Sequence, residues 1–112
     1  MAKLSDIKVA LPSAGRQSLT VKSVGVVTSP RTGTVSTSFR CVDAAGATVF
    51  LAFAHSAGGL TLMSRFAKVV GIDDNFDYET CENSSMTHPT FAGTVDLDPS
   101  GRASVRPDWT RV

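Results

Sequence analysis

Along residues 34–53, TVSTSFRCVDAAGATVFLAF, apolar and polar side chains alternate in a way that predicts a β-hairpin. Val35, Thr37, Phe39 and Cys41 interleave with Ser36, Ser38, Arg40 and Val42, the period of two expected of a strand buried on one face. Val49 to Phe53 follows as a short β-branched and aromatic run. Between them, Asp43-Ala44-Ala45-Gly46-Ala47 suits a three-residue loop that closes on a left-handed glycine, a backbone region open to glycine without a Cβ penalty. That turn fixes the register. Cys41 faces Val49, Phe39 faces Leu51 and Thr37 faces Phe53 on a core side. On the other side Arg40 faces Phe50, Ser38 faces Ala52 and Ser36 faces Ala54.

The remaining pattern predicts three more strands and one helix. Residues 19–28, LTVKSVGVVT, alternate with a slip between Val21 and Val24. A bulge near Ser23-Val24-Gly25 would turn Leu19, Val21, Val24 and Val26 all to the core. Pro30 and Gly33 mark the turn into the hairpin. Leu62, Met63, Phe66, Val69 and Val70 form one stripe of a helix, with Gly71 as its left-handed stop. Residues 73–89 are acidic and aperiodic, a long loop. FAGTVDLD and RASVRPDW then flank Pro99-Ser100-Gly101 as a second hairpin, pairing Leu97 with Ala103, Val95 with Val105 and Phe91 with Trp109. Trp109 is thereby expected in the core. Residues 1–17 read as an N-terminal arm or edge strand and 18–112 as the folded domain.

The order β-β-β-α-β-β, all-β with one helix, is that of a five-stranded OB-like barrel in which the helix plugs one end. A two-sheet sandwich is the rival fold. With 42% hydrophobic and 19% charged residues, the 112-residue chain is neither disordered nor a bilayer span. It lacks the charged start and long apolar core of a secretory signal, so the cytoplasm is the expected compartment. Cys41 and Cys81 are then expected as free thiols.

Charge separates along the chain. Residues 1–71 hold eight lysines and arginines against two aspartates, whereas residues 72–101 hold seven carboxylates and no Lys or Arg. Such polarity suits an anionic ligand on one side and a protein partner at the acidic stretch Asp73, Asp74, Asp77, Glu79 and Glu82. Its plain alternative is solubility. Asp73 to Glu79 spaces oxygens like a calcium loop, but Tyr78 and Ser84 stand where glycine and a bidentate glutamate are needed. Cys41, His55, Cys81 and His88 have no zinc-ligand spacing. No nucleophile has a base at motif spacing, so neither catalysis nor a cofactor is expected.

The run TVKSVGVVTSPRTGTVSTSFRCVDAAGATVFLAF, the helix ending Val-Val-Gly-Ile, and VDLDPSGRASVRPDW resemble small phage-encoded single-stranded DNA-binding proteins across residues 18–109. The resemblance implies an OB core that binds single strands during replication or recombination, in the host cytoplasm; the exposed edge strands of so small a barrel make self-association a further expectation. Here the acidic cluster is internal, where such proteins often end in an acidic tail. Single strands require cations along the phosphates and π faces for the bases. Arg40 beside Phe50 supplies both, with Arg31 and Arg102 on flanking loops and Lys22 and Arg106 at the periphery. The ligand expected is single-stranded DNA, with RNA open to the same chemistry. The alternative is a non-enzymatic interaction or virion-assembly β-module, with Phe50 packed under the arm or against a neighbouring subunit.

Overall fold

The structure, a computed structural model, describes residues 12–81 and 89–112. Residues 1–11 of the expected arm, with Lys3 and Lys8, and Glu82 and His88 of the acidic stretch lie outside the described residues. The elements are β1 (Gly15–Thr28), β2 (Val35–Val42), β3 (Thr48–Ala54), α1 (Ala57–Val70), β4 (Thr90–Leu97), β5 (Ala103–Val105) and β6 (Thr110–Arg111). They form one antiparallel sheet in the order β3-β2-β1-β4-β5, with β6 also on β4.

The β2–β3 hairpin has the expected register, from Ser36 opposite Ala54 to Cys41 opposite Val49. Gly46 takes φ +86°, the left-handed turn position that favours glycine. Asp43 fastens that turn, because its Oδ1 accepts the Ala45 and Ala47 N–H groups at 2.9 and 2.8 Å. In β1 the bulge falls at Lys22, just before the expected place, between Val21 opposite Cys41 and Ser23 opposite Arg40. It turns Val21 and Val24 to the same side although they are three residues apart. Val26 is not core: it is 38% exposed near the hairpin tip, beyond the reach of the helix and the second hairpin.

The helix begins at Ala57, where Ser56 Oγ accepts the Gly59 N–H, and it ends with Gly71 donating to Ala67 O. Gly59 is required by contact. A Cβ there would run into the Ala54 carbonyl, so its absence lets α1 turn tightly off β3. Met63 and Phe66 carry the stripe inward; Phe66 meets Phe39 at 5.2 Å and Phe91 at 5.0 Å between ring centroids. Burying a ring of that size stabilises the fold by about 1.5–3 kcal/mol.

The expected five-stranded cylinder gives way to a six-stranded open sheet. β3 and β5 come close, but no ladder joins them. β5 pairs β4 and stops after three residues: Arg106 N–H still reaches Thr94 O, but Pro107 has no N–H to carry the ladder on. Asp108 then takes the Thr94 amide on Oδ1 and the Thr94 hydroxyl on Oδ2, at 3.1 and 2.6 Å. The chain resumes pairing two residues late, so Phe91 lies opposite Arg111 rather than Trp109. Trp109 is nonetheless buried, packed against Phe53 and Phe66.

Candidate nucleic-acid interface

Opposite the core, three strands present one open face. β1 contributes Ser23, Gly25 and Val27, β2 contributes Ser36, Ser38 and Arg40, and β3 contributes Phe50, Ala52 and Ala54. Phe50 is 58% exposed and stands opposite Arg40, which is also exposed. The ring is thus in solvent beside a cation. Arg40 Nε donates to Ser23 Oγ at 3.1 Å, which holds the guanidinium over the sheet without neutralising it. Ser23 comes to Arg40 only because the Lys22 bulge shifts β1 by one residue. Lys22 itself is exposed at the bulge. Val27, 54% exposed, adds a second apolar surface on the same face, and the small residues between leave the sheet backbone approachable.

The outlying cations divide. Arg31 sits exposed on the β1–β2 turn and Arg102 exposed on the β4–β5 turn, and neither forms an ion pair among the described residues. Arg106 is already engaged: its Nε and Nη2 bind the two Asp96 oxygens at 2.6 and 2.8 Å. That fork holds the Asp96 carboxyl below its ordinary pKa. Arg16 is taken up by Asp108 and Thr110. Arg111 donates to Val69 O and Lys68 O, where a cation complements the exposed carbonyls of a helix C-terminus. Arg40, Lys22, Arg31 and Arg102 therefore remain as the cations of the face and its rim.

The acidic stretch is more ordered than its lack of period implies. Asp73 Oδ1 accepts the Asn75 N–H, and Asp77 Oδ1 accepts the Glu79 and Thr80 N–H groups. These backbone bonds hold the Asp77 carboxyl below the usual range. Phe76 and Tyr78, within this stretch, pack against the core: Phe76 lies 6.2 Å from Phe39, and Tyr78 meets His55 edge-on at 5.2 Å.

His55, which has no zinc-ligand spacing in the sequence, lies between β3 and α1. Its Nε2 lies 2.7 Å from the fully buried Thr37 hydroxyl, which donates to Tyr78 O at 2.7 Å. Beside it, Thr34, Val35, Ala54, His55, Ser56 and Glu79 line an open groove of about 510 Å³. Among the described residues no group of His, Cys, Asp and Glu is placed to hold a metal ion. No described helix is long and apolar enough to cross a membrane. Fold and face together define a mostly-β protein with one helix and a basic, aromatic open face. No model of a known protein family matches the chain, and no curated protein is significantly similar to it.

Proposed function

We propose that this chain is a non-enzymatic, sequence-tolerant single-stranded DNA-binding protein of phage type, serving replication or recombination. The observation that carries the reading is Phe50, a phenyl ring left in solvent opposite Arg40 on an otherwise small-residue face. Leaving a large ring exposed on a strand forgoes about 1.5–3 kcal/mol of burial, and a stacking base recovers about 1–3 kcal/mol. The guanidinium, Lys22, Arg31 and Arg102 supply the phosphate contacts.

The sheet is an OB-like variant in this reading. Its support is the helix between the third and fourth strands, β1 shared between β2 and β4, and the close approach of β3 and β5. An electrophoretic titration with single- and double-stranded DNA and RNA at low salt tests the proposal. Single-stranded DNA is expected to shift at the lowest protein concentration, and no shift with any single strand would overturn it.

The second reading, an assembly module, is favoured by the edge of β3, unpaired among the described residues, and by exposed Val26 and Val27 at the hairpin tip. A large, stable species on sizing together with no nucleic-acid shift would select it. A small oligomer that binds single strands fits the first reading.

A further inference from the structure

We propose that Arg40 and Ser23 form one phosphate clamp on the open face, with Lys22 beside them for the next phosphate of the strand. The proposal rests on the single-strand reading and gives the uncharged Ser23 a direct part in binding.

The bulge in β1 assembles the clamp. A regular strand sends consecutive side chains to opposite faces. Here Val21 is buried and Val24 packs against the core, so the two residues between them are both turned outward. Lys22 and Ser23 are accordingly both exposed, side by side in the chain. Ser23 stands opposite Arg40, and Arg40 opposite Phe50, in one row across β1, β2 and β3. Neighbouring strands lie about 4.8 Å apart, so the row spans roughly 10 Å. A single nucleotide can lay its base on the ring and its phosphate at the far end.

The hydrogen bonding leaves donors facing solvent. Arg40 Nε donates to Ser23 Oγ at 3.1 Å. Among the described residues the Arg40 Nη1 and Nη2 groups have no partner, and neither Arg40 nor Lys22 has an ion pair. The Ser23 oxygen accepts from a cation, which makes its own proton the more readily donated, and no described group takes that proton. Guanidinium N–H groups and one O–H are thus offered from one place.

That set fits a phosphodiester. The guanidinium fork matches two phosphate oxygens, and a serine hydroxyl is an ordinary further contact to the backbone. Arg106 spends the same fork on Asp96. Arg40 is braced by a neutral oxygen instead, which orients it and leaves its charge unspent. Gripping the backbone here and stacking the base on Phe50 also keeps the face sequence-tolerant, since phosphate contacts carry no sequence information.

The test measures oligo-dT binding by fluorescence anisotropy on the wild type, Ser23→Ala, Ser23→Thr, Arg40→Ala, Phe50→Ala and Ser23→Ala/Arg40→Ala, each checked by its urea midpoint. Ser23→Ala should bind about three- to tenfold more weakly, the worth of a hydrogen bond on an open face. Its salt slope should match the wild type because no charge is removed, whereas Arg40→Ala should lose about 0.7 of the slope. Ser23→Thr keeps the hydroxyl and should stay within about twofold of the wild type. In the Arg40→Ala background, Ser23→Ala should cost less than about twofold, because the clamp is already broken. Wild-type affinity in Ser23→Ala, or an equal loss in both backgrounds, would overturn the clamp. In that case oligo-dT binding that weakens in Phe50→Ala leaves the single-strand reading standing. Failure of the wild type to bind oligo-dT at low salt removes both.

Discussion

Thr37 shows how a single side chain ties the edge of the site to the core. Its methyl packs inside, while its hydroxyl accepts from His55 and donates to Tyr78 O. Thr37→Val keeps the shape but strands a ring N–H and a carbonyl. It is expected to cost about 1–3 kcal/mol, read as a lower urea midpoint, with Thr37→Ser less damaging because only a methyl is lost. Period-two alternation puts Thr37 opposite Phe53 on the core side, which is correct. Its two partners were not legible, since His55 and Tyr78 reach it from 18 and 41 residues away.

Cys41 gives a pH prediction with a definite sign. Burial pushes its thiol up to about 12 from the ordinary 9.0. Between those values the unfolded chain ionises and the folded chain does not, so the native state binds more protons. Stability should therefore fall as pH rises from about 9 towards 12. A Cys41→Ala variant, less stable at neutral pH, should show a flatter alkaline decline. At pH 8 a thiol reagent should modify Cys81 slowly, since burial and the Asp77 carboxylate raise its pKa too. Cys41 should react only on unfolding.

Elements reveal where local rules suffice and where contact overrules them. Helix propensity alone says that Gly→Ala stabilises a helix by about 1 kcal/mol. At Gly58, where added Cβ meets nothing, Gly58→Ala should raise the melting temperature. At Gly59 the Ala54 carbonyl occupies that space, so Gly59→Ala should lower it despite the same propensity gain. Thermal unfolding of the two variants separates the effects.

The β2–β3 register was readable because alternation and one glycine turn are both local. The end of the second hairpin was not. Its path depends on Pro107 and on Asp108 reaching Thr94 across 14 residues, and composition does not announce such a bond. Those bonds hold the Asp108 carboxyl below the ordinary range. Its contribution is present above the ordinary carboxylate pKa of 3.8 and is lost as pH falls through the lowered value. Asp108→Asn should therefore flatten the acid limb of the stability profile.

For the whole molecule, charge and topology point in one direction. The second hairpin engages Arg106 with Asp96 and draws in Arg16 through Asp108, while Arg111 closes the end of α1. Among the described residues, the cations left outward are those of the open face and its loops together with Arg65 and Lys68 on the exposed side of α1. Total charge could not sort them, because +1 is the same whether a cation is free or paired. Pairing of Arg40 with Phe50 came directly from the alternation, whereas the Ser23 brace required the position of the bulge.

The most direct test is the salt dependence of oligo-dT binding by the wild type and by Arg40→Ala/Phe50→Ala. Four phosphate contacts, from Arg40, Lys22, Arg31 and Arg102, give an expected log–log slope of about −3 for a single strand. The double variant should bind about 10- to 100-fold more weakly, with a shallower slope and a nearly unchanged unfolding midpoint. Equal affinity and equal slope in a correctly folded double variant would contradict the proposal that this face holds the strand.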